Sequence, residues 1–416
     1  MFHFDKEWVK RNTLPQFLAV AGGKKVVFWG AGMEAKRAME NELADISPSY
    51  FCDNSEAKWG KEFHGFDVKP PEALLEEDRD NLVVVICCRF FLLSEIIEQL
   101  KKLSVPLYFS SILFIPENNE RFQLRFKGEY CFDDRRKHHK KLLYVLAGYK
   151  PFLWDVVFAR ITAVIPDDFD TCLVLSGVDN DYLRKLAEKQ GWSYLSTKEN
   201  KLSLAQNIAI MLHNKAEMIF KLDEDIFIGK DYFTRMEESY ERISSRELCR
   251  IGCLSPLLPV NVYSHIPFLQ KMGLEDQYMK LFGTEAKEIG GWALHLKDAV
   301  VKFLWEHSLP FDKTAEKLWA DKTDPVTCPY RFSIGAILFH RWLWDQMFGF
   351  DVGLEGEMGN DEVHICNHCM EQFMAIYIDT NILAGHFAYG AQTELMRDYF
   401  EKNKARFNIG SSGVPE

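Results

Sequence analysis

Three consecutive acids, Asp223-Glu224-Asp225, follow the apolar run Met218-Ile219-Phe220-Lys221-Leu222, and a second apolar run, Ile226-Phe227-Ile228, begins at once after them. The first run reads as a buried strand, so the acids lie at its carboxyl end. Like charges held side by side repel and resist burial, and such clusters persist where a cation neutralises them. Hard oxygen ligands suit Mg²⁺ or Mn²⁺, which share their remaining coordination sites with substrate phosphates. Open α/β sheets bind their ligands at this carboxyl edge. The competing reading is a solvated acidic turn.

Two further constellations carry chemistry. Gly359-Asn360-Asp361-Glu362 places two acids where a helix opens, and the helix dipole favours their charged forms there. A general base is one use of such a pair and a plain helix cap is the other. Gly30-Ala31-Gly32-Met33-Glu34-Ala35 fits G-x-G-x-x-A after a strand, with Asp53 near the position that would read a ribose. Gly30 and Gly32 would let a backbone approach a phosphate at a helix N-terminus. A NAD(P)-dependent oxidoreductase or epimerase would need more; no Tyr-x-x-x-Lys pair is recognisable after this region. Cys366-Asn367-His368-Cys369 has CxxC spacing but no second pair at zinc-site distance.

These residues must be positioned by alternating strands and helices. Lys25 to Trp29, Tyr50 to Asp53, Asn81 to Cys88 and Val105 to Phe109 read as strands, with helices over Met33 to Leu43 and Phe91 to Leu103. The unbroken apolar run Asn81 to Cys88 suits a parallel sheet covered on both faces. The pattern breaks from Ile115 to Lys141 and restarts at Leu142. Strands follow at Thr171 to Ser176 and Met218 to Leu222, with helices over Asn180 to Lys189 and Leu204 to His213. The expected organisation is a Rossmann-like domain over 1–115, a basic linker over 116–141, a second α/β domain over 142–400 and a loose tail over 401–416.

The chain has 416 residues, 47% of them hydrophobic, with a formal net charge of −11. An acidic chain lacks the basic surplus that binding to nucleic acid needs. The one basic run, Arg135-Arg136-Lys137-His138-His139-Lys140-Lys141, reads either as a peripheral contact with an anionic membrane surface or as a solvated linker. Scattered cysteines, no apolar run of the roughly 18 residues that span a bilayer, and charges at Asp5, Lys6 and Glu7 where a signal peptide would be apolar lead to a cytoplasmic expectation. Aromatic residues near Gly290-Gly291-Trp292 and Trp342-Leu343-Trp344 would serve a sugar site or a core.

From 142 to about 390 the chain resembles glycosyltransferases of the GT-A fold, most nearly family 2. Asp223-Glu224-Asp225 is similar to that family's DxD motif. Ala147-Gly148-Tyr149 and Asp179 occupy the ends of its first two strands, and Asn200, Ser203 and Asn207 match its donor loop and the helix after it. Arg331-Phe332-Ser333-Ile334-Gly335-Ala336 resembles its small-residue segment beside the acceptor, and Gly349-Phe350-Asp351 its Gly-Phe-Asp turn. Gly359-Asn360-Asp361-Glu362 is similar to its acidic pair, and Ile382-Leu383-Ala384-Gly385-His386 to its C-terminal histidine segment. The N-terminal part, with Asp53-Asn54, Trp59-Gly60 and Pro70-Pro71-Glu72, resembles the nucleotide-binding-like domain attached to enzymes of bacterial surface polysaccharides.

The resemblance implies an inverting sugar transfer from a nucleotide-sugar donor to a glycan or glycolipid acceptor, in surface polysaccharide biosynthesis. It implies Mn²⁺ or Mg²⁺ held by Asp223, Asp225 and His386. It implies donor contacts at Ala147, Gly148, Tyr149, Asp179, Asn200, Ser203, Asn207 and Glu224. Acceptor contacts would fall at Ser333, Ile334, Gly335 and Trp292, with Glu362 or Asp361 as general base. A non-catalytic scaffold that senses nucleotide or sugar is the remaining alternative, and a homo-oligomeric assembly stays open.

Overall fold

A computed structural model describes residues 6–246, 249–283, 297–328, 332–353, 358–390 and 392–410. The chain is α/β and divides into two units: residues 1–128 with 342–350, and residues 129–341 with 351–416.

The first unit is built on β1 (Lys25–Trp29), β2 (Tyr50–Cys52), β3 (Glu62–Phe63), β4 (Phe66–Lys69), β5 (Leu82–Ile86) and β6 (Tyr108–Ser110), in the order β3-β4-β2-β1-β5-β6. Every pair except β3–β4 is parallel. Side chains alternate across the sheet, so Val27 and Trp29 join one core layer while Val26 and Phe28 join the other. Trp344 lies in the core of this unit, where its ring meets that of Phe126 edge-on at 5.8 Å.

The second unit contains β7 (Tyr130–Asp133), β8 (Lys141–Ala147), β9 (Phe169–Ser176), β10 (Ser193–Thr197), β11 (Met218–Asp223), β12 (Ile226–Ile228), β13 (Ile251–Leu257), β14 (Val326–Cys328), β15 (Ala336–His340) and β16 (Ala375–His386). Its sheet runs β12-β16-β13-β15-β11-β8-β9-β10-β7, with β14 added on β16. β8, β9, β10 and β11 are mutually parallel, and Leu142 to Ala147 of β8 are all buried, as a strand covered on both faces requires. β15 is antiparallel to both β11 and β13, so the sheet is mixed.

Two boundaries differ from the sequence expectation. The stretch 116–141 is no linker. The helix Pro116–Leu124 belongs to the first unit, β7 pairs antiparallel with β10, and Lys141 already lies in β8. Two of its basic residues are ion-paired: Arg136 with Asp134, and Lys141 with Asp168 and Glu237. The tail expected from 401 is, as far as Phe407, the end of the helix Gln392–Phe407, and the Phe407 ring is fully buried against Phe227, Trp305 and Phe400. Among the described residues no helix is long and apolar enough to cross a membrane.

Candidate functional site

From β8 the chain steps outward to β9 and β10, then returns to the other flank of β8 as β11. The order therefore reverses between β8 and β11, and their carboxyl ends border the crevice where open α/β sheets take ligands. Gly148 makes the turn after β8 with φ +134°, and a Cβ there would sit 2.7 Å from Val178 Cγ2. Ala147 is buried beneath the turn.

Each of the three acids after β11 is held differently. Glu224, 5% exposed, accepts hydrogen bonds from the amides of Gly148 (3.0 Å) and Tyr149 (2.9 Å) and from the indole N–H of Trp154. It locks the β8 and β11 loops together. Burial raises its carboxyl against the pull of those donors. The donor contact expected of Glu224 is thus replaced by a contact with the chain's own backbone.

Asp223 Oδ1 accepts from Lys221 Nζ at 2.6 Å, and the same ammonium donates to the Ile334 carbonyl at 2.8 Å. Lys221 and Asp223 are two residues apart on a strand and so share a face. Burial lifts the Asp223 carboxyl, the Asp225 charge adds to that, and Lys221 opposes it. Asp225, 1% exposed, bonds to Lys150 Nζ through Oδ2, and His386 Nε2 approaches the same oxygen at 3.4 Å. Burial alone would raise this carboxyl, but the charges of His386 and Lys150 hold it well below the usual carboxylate range.

This donor set fits a divalent ion poorly. Glu224 is spent on amides, Asp223 is paired with a lysine that is itself 2% exposed, and Asp225 is paired with Lys150. Among the described residues no three His, Cys, Asp or Glu side chains are grouped to hold a metal, and that covers Cys366 and Cys369 as well. Of the expected set of Asp223, Asp225 and His386, Asp225 and His386 approach each other, and each of the two carboxylates carries an ammonium partner.

The opposite rim gathers the rest. The Gly335 carbonyl accepts from the Asp223 amide at 2.9 Å, and a Cβ on Gly335 would lie 3.3 Å from Asp223 Oδ2. The Ser333 carbonyl accepts from Asn261 Nδ2 at 3.3 Å. Gly335 therefore borders Asp223, and Ile334 shares Lys221 with that acid; Trp292 lies outside the described residues. Asp361 and Glu362 open the helix Asp361–Glu371. Gln206 Nε2 donates to Asp361 Oδ2 at 2.8 Å, and the Tyr144 hydroxyl donates to Gln206 Oε1 at 2.9 Å. Burial raises the Tyr144 phenol, and Asp361 and Asp223 both add to it. Burial likewise raises the Tyr389 phenol, with contributions from Glu362 and Asp225.

The remaining donor positions divide. Tyr149 is 54% exposed, and its hydroxyl donates to the Ser176 carbonyl. Asp179 accepts from Tyr194 and Arg184 at 2.6 and 2.9 Å, and the Tyr194 hydroxyl heads the causes that lower its carboxyl. Asn200 closes over Gly177, where a Cβ would stand 2.4 Å from that of Asn200. Ser203 and Asn207 depart from the expectation: both are wholly buried in the helix Leu202–Leu212, and Gly359 presses on Ser203 so closely that a Cβ would come within 2.1 Å of its Oγ. Ser203 packs the helix against the turn at Met358 and Gly359.

The first unit has its own crevice, a cavity of about 320 Å³ at the reversal between β1 and β5, lined by Gly30, Ala31, Gly32 and Asp53 among others. Gly30, with φ +112°, is required, since a Cβ would lie 2.4 Å from the Cys87 carbonyl oxygen. The Asp53 carboxylate, expected at a ribose, instead accepts from the Ala31 amide at 2.8 Å and from Lys58 at 2.8 Å. A phosphate docking on this turn would have to displace it.

No protein-family model matches this chain, and no curated protein matches it in sequence.

Lys221, Trp154, Tyr144 and Tyr389 were not singled out by sequence reasoning; Gln206 stands in the donor-loop segment where the resembled family frequently has Arg, and Lys150 directly follows the Ala147-Gly148-Tyr149 strand end, neither with a role assigned to it. One signal was available. A lysine inside an apolar strand needs a counter-charge, and the nearest one on its own face is Asp223.

Proposed function

We propose that the second unit is a glycosyltransferase that moves a sugar from a nucleotide-sugar donor to a hydroxyl of a glycan or glycolipid. The observation that carries this reading is the meeting of three things at one reversal of strand order. These are the β8 turn, the acids after β11, and the Asp361–Glu362 pair, whose Asp361 is linked to β8 through Gln206 and Tyr144. Such a crevice offers a positively charged group at Lys150, hydrogen-bonding loops and a carboxylate rim. A sugar diphosphate and an acceptor hydroxyl require those groups.

The roles follow from placement. Glu224 and Trp154 fix the loop Gly148–Lys150. Ser333 to Gly335 border the acceptor side. Glu362, or Asp361 held by Gln206, takes the acceptor proton as that oxygen attacks the anomeric carbon. Positioned proton transfer of this kind supplies about 10²- to 10⁴-fold in rate. Single displacement inverts the anomeric centre. Work at the cytoplasmic face on surface polysaccharide belongs to the same proposal.

Turnover of a panel of UDP-, GDP-, CMP- and dTDP-sugars, followed by release of the nucleotide, tests the reading. Nucleotide release from one donor, lost in the variant Asp225→Asn, is the expected result. Absence of release from every donor, together with no thermal stabilisation by any of them, rejects it, since a ligand that binds only the folded state must raise the melting temperature.

A further inference from the structure

We infer that Lys150 is the resident cation of this site and meets the diphosphate in place of a divalent metal ion. The inference rests on the proposed glycosyltransferase reading and specifies how its leaving group is handled. Lys150 Nζ bonds to Asp225 Oδ2, the most buried acid of the three. The ammonium thus sits on the carboxylate that would otherwise be offered to a metal ion. Lys221 already compensates Asp223 from beneath, anchored on the Ile334 carbonyl. With both lysines in place, a divalent ion would face carboxylates whose charge is largely cancelled.

The lysine is also placed to reach outward. Its side chain is 27% exposed while that of its partner Asp225 is 1% exposed, so the pair is asymmetric: a buried anion carries a cation towards the open edge. An ammonium has three N–H donors, and those not used on Asp225 remain for diphosphate oxygens. In the transfer, the acceptor oxygen forms its bond to the anomeric carbon as the bond from that carbon to the diphosphate oxygen breaks. The electron pair leaves with the diphosphate, the acceptor proton passes to Glu362 or Asp361, and the charge gained by the diphosphate is met by Lys150.

The test compares thermal unfolding of the full chain with UDP, GDP, CDP and dTDP, each in excess EDTA and in Mn²⁺, alongside Mn²⁺ alone. The nucleoside diphosphate that binds is expected to raise the melting temperature equally in both buffers, and Mn²⁺ alone to leave the wild type unmoved. Lys150→Ala should lose the nucleotide shift and gain a shift with Mn²⁺ alone, because Asp223, Asp225 and His386 are then short of a cation. Lys150→Gln should lower transfer in EDTA by about 10²- to 10³-fold, the size seen when one electrostatic donor to a developing anion is removed. Lys150→Arg should recover part of that loss. A nucleotide shift that appears in the wild type only with Mn²⁺ overturns this inference and leaves the glycosyltransferase reading standing. No shift with any nucleoside diphosphate in either buffer overturns both.

Discussion

Asp225 Oδ2 and His386 Nε2 face each other at 3.4 Å, while the other ring nitrogen of His386 lies 3.0 Å from the Val260 carbonyl. Both ring nitrogens therefore face acceptors: Nδ1–H donates to that carbonyl and Nε2–H points to Asp225. The ring orientation is therefore set by β16 and by the 260 loop.

Because Asp225 is held below its ordinary value in the folded chain, it contributes stability above the unfolded carboxyl pKa of about 3.9. That contribution is lost as pH falls below this value towards the depressed folded one. Asp225→Asn, which leaves Lys150 without its counter-charge, should cost about 3–5 kcal/mol at pH 7. Urea midpoints measured from pH 7 down to pH 3 should show the gap to wild type narrowing only below about pH 4. A gap that stays constant over that range would mean that Asp225 is not the ionised partner of Lys150 and His386.

Glu224 supplies a second test, of structure before chemistry. Its carboxylate satisfies the Gly148 and Tyr149 amides and the Trp154 indole. Glu224→Gln turns an NH₂ towards donors and leaves at least one of them unpaired, at about 1–3 kcal/mol each. A urea midpoint lowered to that extent, with a change in Trp154 fluorescence, is expected. A substitution that abolishes turnover with unchanged stability and fluorescence would instead place Glu224 at the substrate.

How much of this was legible in the sequence differs by region. β5 and β8 were readable because both faces of each are covered, which leaves unbroken apolar runs such as Leu82–Ile86. β16 was not, since Asp379, Thr380 and Asn381 interrupt it. These are buried polar residues whose partners are distant in sequence: Asp379 bonds to Ser239 and Arg242, and Asn381 to Thr323. The acids at the β11 edge were visible as a run of like charge. The lysines that answer them were not, because Lys150 reaches Asp225 across 75 residues of chain and only the topology brings β8 beside β11.

The acid pair at 361 and 362 separates by its partners. Asp361 is pinned by Gln206, whose other end is held by Tyr144, so its carboxylate is positioned by the sheet itself. Glu362→Gln should lower kcat by about 10²- to 10⁴-fold, with binding of the nucleoside diphosphate unchanged. Asp361→Asn, able to keep an oxygen on Gln206, should cost less. Steady-state kinetics on both variants decides the order, and a larger loss for Asp361→Asn would assign the base to Asp361.

Phe407 tests the boundary at the C-terminus. Its ring is fully buried among Phe227, Trp305 and Phe400, and its carbonyl accepts from Arg160 Nε at 2.6 Å. Arg160 also pairs with Asp312 at 2.8 Å and donates to the Ile228 carbonyl at 2.9 Å, so the helix end is tied to β12, the strand that follows the acids. Phe407→Ala removes a core ring whose surroundings are aromatic and slow to collapse, at a cost of about 3–5 kcal/mol. Truncation after residue 400 should be worse still, because it also strips the carbonyls of Phe407 and Asn408 from a buried guanidinium. Denaturant unfolding of both forms should show the truncated chain less stable than Phe407→Ala. A truncated chain as stable as wild type would return the last residues to the status of a loose tail.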